Sequence, residues 1–253
     1  MKHFKDIYKG KKVLITGHTG FKGSWLSIWL SKLGAEVIGI SNRVPTSPSN
    51  FNASKIFDTL KDFRVDIMDL ESVKSIISNH KPDFIFHLAA QALVYPAYES
   101  PVETLTVNAI GTSNILEAIR ISQKPIVAIM ITSDKAYDNV EWVWGYRESD
   151  PLGGKDPYSA SKGMAELAIK TYLHSFFTSP ERGVRIGITR AGNVIGGGDW
   201  ARNRIVPDCV DAWSKNKIVD IRRPDATRPW QHVLEPLSGY LSLGSELYES
   251  PGR

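Results

Sequence analysis

The chain has 253 residues, 42% of them apolar, which supports one large domain with a buried core and excludes a disordered or low-complexity protein. Lys and Arg outnumber Asp and Glu by 31 to 27, a mild excess spread along the chain that suits an anionic small ligand and leaves no dense basic arm for nucleic acid. The single cysteine, Cys209, excludes an internal disulfide, and no Cys/His cluster has zinc spacing, so no metal centre is expected. The charged opening MKHFKDIYKG lacks the core of a signal peptide, and no apolar run approaches the ~18 residues of a membrane span. A soluble, cytoplasmic, globular protein is the expectation.

Lys12-Val13-Leu14-Ile15-Thr16 is a short apolar run ending at a glycine, which predicts a buried strand. Ser24 to Leu33 follows with helical spacing of Trp25, Ile28, Trp29 and Leu33, and Gly34 stands where a helix stops. Glu36 to Ile40, Phe84 to Leu88, Ile126 to Ile131 and Arg185 to Thr189 predict further strands. Val107 to Ile119, Tyr158 to Phe176 and Val233 to Tyr248 carry helical patterns. Strand and helix in alternation imply a Rossmann-like, doubly wound α/β fold whose mostly parallel sheet is covered on both faces. After about Ala191 the chain becomes dense in Gly, Arg, Trp and Pro. The expected division is therefore a dinucleotide-binding domain over 1–190 and the start of a substrate-binding part over 191–253, interleaved with it.

Gly17-His18-Thr19-Gly20-Phe21-Lys22-Gly23 lies between the first strand and the first helix. Glycines there permit a tight turn and close approach of a pyrophosphate, whose charge meets the free N–H groups of the helix start. The spacing is GxxGxxG rather than GxGxxG. Gly17, Thr19, Gly20, Phe21 and Gly23 are the candidate cofactor residues of this loop. The second strand ends in Ser41-Asn42-Arg43, without the acid that usually binds the ribose hydroxyls of NAD. Asn42 and Arg43 are candidates at that end; Arg43 either meets a 2′-phosphate or is a solvated loop residue. Asp66, in Val65-Asp66-Ile67, is expected to end another strand and to accept a bond from the adenine amine, with Ile67 beside it.

Tyr158 and Lys162 stand four apart at the start of a helix, so their side chains share a face. An ammonium beside a phenol is expected to favour the phenolate and lower its pKa from about 10, fitting the pair to take a proton from a sugar hydroxyl as hydride leaves. Upstream, the strand Ile126 to Ile131 runs out into Thr132-Ser133-Asp134-Lys135. Ligands bind at strand carboxyl ends in open α/β sheets, and a hydroxyl, an acid and an amine there exceed what simple oxidation requires.

Together the GxxGxxG loop, His87-Leu88-Ala89-Ala90, Asn108, the Ser133 region and Tyr158/Lys162 resemble the extended short-chain dehydrogenase/reductase family, and Leu88, Ala89 and Ala90 join the candidate cofactor residues. Within it, Ser133-Asp134-Lys135 resembles the sugar-nucleotide 4,6-dehydratases rather than the 4-epimerases. Lysine after the acid, Glu141 to Glu148, Gly196 to Trp200 and Thr227 to His232 resemble the CDP-glucose 4,6-dehydratases. The resemblance implies NAD as cofactor and CDP-glucose as substrate. It implies C4 oxidation by Tyr158, Lys162 and Ser133, loss of water across C5 and C6 by Lys135 and Asp134, and hydride return to C6. Asn193, Arg204 and Arg228 are implied to hold substrate phosphates and sugar, and the helices of Val107 to Ile119 and Tyr158 to Phe176, apolar on more than one face, to pair in a homodimer. The family continues well beyond Arg253, so the substrate-binding part is expected to be incomplete. A neighbouring epimerase or reductase, or a silent nucleotide-binding protein on this fold, are the alternatives; Asp134-Lys135 speaks against the first, and the presence of Tyr158 and Lys162 against the second.

Overall fold

In the computed structural model, which describes residues 3–122 and 124–250, the apolar runs align side by side. In chain order the elements are β1 (Lys12–Thr16), α1 (Phe21–Lys32), β2 (Glu36–Ile40), the one-turn α2 (Asn50–Ala53), β3 (Lys61–Phe63), α3 (Leu70–His80), β4 (Phe84–His87), α4 (Val94–Glu99) and α5 (Pro101–Leu105). There follow α6 (Gly111–Ser122), β5 (Ile126–Ile131), α7 (Pro157–Phe176), β6 (Val184–Thr189), β7 (Val194–Ile195), α8 (Ile205–Ser214), β8 (Gln231–His232) and α9 (Leu234–Glu249). Strands β1 to β6 form one parallel sheet in the order β3-β2-β1-β4-β5-β6, so the chain reverses direction between β1 and β4 and opens a crevice there. β7 and β8 make a separate parallel pair.

Alternate strand residues feed two apolar layers. Leu14, Ile38, Ile85, Ala128 and Met130 face Val73, Ile77, Ile115, Ile119 and Ile169 of α3, α6 and α7. Val13, Ile15, Phe84, Phe86 and Ile129 face Leu26, Leu30, Leu237 and Leu241 of α1 and α9. Thus α9 covers the main sheet, although it follows the Gly- and Trp-rich segment in sequence.

Several boundaries differ from expectation. α1 begins at Phe21 rather than Ser24, because Gly20 is extended and the Ser24 N–H already bonds back to its carbonyl at 2.8 Å. Phe84 to Leu88 is strand only to His87, and β6 starts at Val184. The expected helix from Val107 opens as a π-turn over Thr106–Ile110 and becomes α-helical only at Gly111. Asp66 does not end a strand: β3 stops at Phe63, and Asp66 lies in the loop that leads to α3, where its carboxylate accepts the Met68 N–H at 2.9 Å. α3 itself starts where Asp69 caps the Ser72 N–H, and it buries Val73, Ile76 and Ile77. The expectation for the chain end at Pro251-Gly252-Arg253 lies outside the described residues.

Candidate active site

The loop after β1 is built for close approach. Gly17 has φ +73°, and a Cβ there would stand 2.8 Å from the Ala89 N; a Cβ on Gly23 would stand 2.0 Å from the Gly17 carbonyl oxygen. β1's loop and the Leu88-Ala89-Ala90 end of β4 therefore pack backbone to backbone. No side chain caps the N-terminus of α1, so its first N–H groups remain for an anion. Thr19 joins this loop to the end of β2: its hydroxyl lies 2.7 Å from Ser41 Oγ and donates to the Arg43 carbonyl at 2.7 Å. The Asn42 amide donates to the Asp66 carboxylate at 2.9 Å, so those two candidates sit together, while the Arg43 side chain is exposed. Ile67 is buried in the core against Gly111, and its carbonyl accepts from Asn114 at 3.0 Å.

β5 delivers Ser133, which caps the short turn Asp134–Ala136 by accepting the Lys135 N–H at 3.2 Å. Its hydroxyl also stands 3.0 Å from Asp134 Oδ1. The turn is pinned from the next strand by the Asp134 N–H to the Ala191 carbonyl, 3.2 Å. Asp156 caps α7, with Pro157 in its first turn, so Tyr158 and Lys162 start a regular helix whose buried face meets the turn. Ser133 lies beside Tyr158 and favours its phenolate, and the Lys162 ammonium lies 5.9 Å from the centre of the Tyr158 ring.

The charge balance differs from the one expected for a tyrosine beside a lysine. Burial raises the Tyr158 pKa, Asp134 and Asp156 raise it further, and the Ser133 bond and Arg204 only partly oppose them. Lys162, not Tyr158, is the group driven toward neutral pH, pushed down to about 8 by burial and by Lys22. Lys22, which the glycine spacing hid, reaches into the site from the first turn of α1; burial, then Arg204, lower it to about 8, and it approaches Tyr240 OH at 3.4 Å. His87, buried between Thr16 and Thr112 hydroxyls, is held neutral by burial and Lys162, with its pKa pushed down to about 3.

Folding therefore carries a desolvated ammonium at Lys162 when the solution is below pH about 8. As pH rises from about 8 toward 10.5 the unfolded chain holds more protons than the folded one, so stability should rise through that window. Tyr8 and Tyr240, both raised by burial, act in the opposite sense only above their ordinary value of 10.0. Urea unfolding of the unliganded protein should show this rise below pH 10, with Lys22 adding to it in the same window, and Lys162→Met should make the slope shallower without abolishing it; an unchanged slope in the variant would remove Lys162 as a source.

Of the three phosphate candidates, Arg204 is joined to the site: its charge reaches Tyr158 and Lys22, and it pairs with Asp199 at 2.9 Å. Asn193 lies just before β7, and its carbonyl accepts the Gln231 N–H at 3.0 Å. Arg228 is exposed and donates to its neighbour Thr227 at 2.6 Å. Sequence reading also missed Glu166 and Arg190, a buried pair at the rear of the turn. One signal for Glu166 was present: it follows Tyr158 and Lys162 at the same four-residue step, on one helix face.

The family model described as GDP-mannose 4,6 dehydratase matches residues 14–241. The CDP-glucose 4,6-dehydratase of Salmonella typhimurium is 49% identical over 247 residues, covering 96% of this chain and 69% of that protein. The GDP-mannose 4,6-dehydratase of Vibrio cholerae is 32% identical over 178 residues, 66% of this chain and 46% of its own length. Among solved structures, an epimerase from Methanothermobacter thermautotrophicus superposes with a TM-score of 0.81 at 25% identity, covering 97% of this chain and 70% of that one. The dTDP-glucose 4,6-dehydratase of Streptomyces venezuelae, solved with NAD bound, superposes at 0.80 with 23% identity, over 92% of this chain and 72% of its own.

Proposed function

This chain belongs to the GDP-mannose 4,6 dehydratase family, and on that premise we propose that it converts CDP-glucose to CDP-4-keto-6-deoxyglucose. The observation that carries the reading is the arrangement at the end of β5, where Ser133 lies beside Tyr158 and also caps the turn that presents the acid of Asp134 and the amine of Lys135. An epimerase needs only the first of these. Tyr158 takes the proton of the C4 hydroxyl, with Ser133 holding the phenol and Lys162 behind it. The ketone at C4 acidifies C5–H, which Lys135 removes while Asp134 protonates the departing C6 hydroxyl. Arg204 supplies a planar fork for phosphate, Asn193 a polar side chain beside it, and Arg228 a further cation from the segment before β8. We assign 1–190 to cofactor binding and 191–253 to the substrate part, with α9 returning to the sheet so that the two interleave.

The cofactor we assign is NAD, which when bound accepts the C4 hydride and returns it to C6. Its fit rests on the Gly17/Gly23 cradle and the uncapped N-terminus of α1. The Asn42–Asp66 pair sets a carboxylate beside the end of β2, which would disfavour a further anion there. NAD should bind more tightly than NADP, and Arg43→Ala should leave NAD affinity within about twofold, as an exposed cation contributes little. Tighter NADP binding that Arg43→Ala abolished would overturn the assignment.

A nucleotide sugar is the partner in this reading, with no nucleic acid or membrane; among the described residues no helix is long and apolar enough to cross one. We place the reaction in the cytoplasm and the protein in a homodimer. Supporting the dimer, Val102, Ile110 and Ile121 along α5 to α6, and Met164, Leu167 and Phe176 on α7, are 41% to 74% exposed. Light scattering at micromolar concentration should give twice the chain mass, and Leu167→Glu should give a monomer; a monomeric unmodified protein counts against the pairing.

Incubation with CDP-, dTDP-, GDP- and UDP-glucose, with assay of 4-keto product, tests the substrate. Product from CDP-glucose in clear excess is expected. Preference for another base would correct the substrate, and no product from any would overturn the reaction.

A further inference from the structure

Glu166 takes no part in the chemistry above, yet its side chain is 0% exposed, and it stands on α7 one turn beyond Lys162. Its carboxylate gathers three segments of chain. Oε1 accepts from the Thr132 hydroxyl at 2.7 Å, one residue before Ser133-Asp134-Lys135. The same oxygen accepts from Arg190 Nε at 2.6 Å, and Oε2 from Arg190 Nη2. Thr132 and Arg190 are themselves joined, because the Thr132 N–H and hydroxyl both reach the Thr189 carbonyl, at 2.9 and 3.1 Å. The far face of Arg190 lies 4.3 Å over the Tyr137 ring, which stacks on Tyr146 at 4.9 Å. Tyr146 in turn holds the loop over 139–146 through Asn139 and the Val140 N–H.

A buried ion pair is poor evidence for stability, since apolar groups of equal volume often serve as well or better. What the pair supplies here is orientation: a bidentate guanidinium fixes both distance and plane. Orientation is what this site needs, because its groups come from different elements. Lys135 and Asp134 ride on the turn after β5, Tyr158 and Lys162 on α7, and all must meet one sugar ring at once. Misplacement by ~1 Å can cost on the order of 10²-fold in rate.

We propose that Glu166, with Arg190 and Thr132, is the positioning unit of the active site, holding the turn that removes water in register with the helix that oxidises the sugar. Through Tyr137 the unit also ties that register to the loop over 139–146. The kinetic half of this proposal rests on the 4,6-dehydration assigned above. C4 oxidation draws mainly on α7, whereas elimination draws on the turn, so loosening the unit slows elimination more.

Thr132→Val removes the hydroxyl while keeping shape and the Glu166–Arg190 pair, and Thr132→Ser keeps the hydroxyl. For Thr132→Val, kcat should fall about tenfold, the scale of one buried hydrogen bond, with KM for the sugar nucleotide within about twofold. Reduced cofactor should build up during turnover, because oxidation then outruns elimination. Thr132→Ser should restore both. In the unliganded protein, amide hydrogen exchange over 133–137 should quicken in Thr132→Val and not in Thr132→Ser. Arg190→Lys, which keeps the charge and loses the fork, should shift both readouts further the same way. Thr132→Val indistinguishable from the unmodified protein in rate and exchange, or Thr132→Ser equally impaired, would overturn the proposal. If the unmodified chain yields no 4-keto product, the assigned reaction fails, while exchange over 133–137 still decides whether the unit holds the turn.

Discussion

Lys135→Ala and Asp134→Asn should each slow the loss of water by roughly 10²–10⁴-fold, the usual contribution of a placed general acid or base, while C4 oxidation survives. The expectation follows from the division of labour at the end of β5. Elimination needs a base for a carbon acid and an acid for a poor leaving group, and Tyr158 with Lys162 is committed at C4. The turn Asp134–Ala136 presents both remaining groups from adjacent residues, held by the Ser133 cap and the Ala191 carbonyl. Asp134 and Lys135 are only half-buried, so their truncation should not unfold the protein. With CDP-glucose, Lys135→Ala should still reduce the bound cofactor but lose exchange of the C5 hydrogen with deuterated solvent. If both variants release 4-keto-6-deoxy product at the unmodified rate, the pair is a solvated turn and the dehydration assignment falls.

What could be read in the sequence follows from how local each signal is. β1, β2 and β5 have the expected bounds because each is a short apolar run closed by a glycine or a turn, and each is buried on both faces. The glycine loop and the four-residue step from Tyr158 to Lys162 are equally local, and the fold brings both to the crevice at β1 and β4. α3 carried a readable signal, the Asp69 cap followed by Val73, Ile76 and Ile77 at helical spacing. The π-turn at 106–110 leaves the apolar period almost intact and so stays hidden, and the three residues of β3 are too few to show a period at all.

The site's electrostatics were the least legible part. A phenol next to an ammonium suggests a lowered pKa, but the outcome depends on how far each group is desolvated, which is a property of packing. Burial wins at Tyr158 and at Lys162 alike, raising one and lowering the other. Lys22 reaches Lys162 from 140 positions away in sequence, and Arg190 finds Glu166 across α7 and β6. No spacing rule in one sequence connects such partners.

Tyr158→Phe tests the order of events from the other end. Removing the phenol oxygen keeps the ring on α7 and takes away only the proton-accepting group beside Ser133, so folding should be retained while C4 oxidation falls by roughly 10²–10⁴-fold. Elimination should fall with it, although Lys135 and Asp134 are intact, because C5–H is acidic only beside a C4 ketone. The variant should therefore neither reduce the bound cofactor nor exchange the C5 hydrogen, whereas Lys135→Ala reduces cofactor without exchange. The raised pKa of Tyr158 in the unliganded protein sharpens the expectation: the buried phenol must give up its own proton before it can accept that of the sugar, and Ser133 and Arg204 are the groups that favour the phenolate. Ser133→Ala should then lower the oxidation rate in the same direction by a smaller factor, about tenfold for one hydrogen bond. C5 exchange persisting at the unmodified rate in Tyr158→Phe would mean that the carbon acid is activated without the ketone, and Tyr158 would lose its place as the group that opens the reaction.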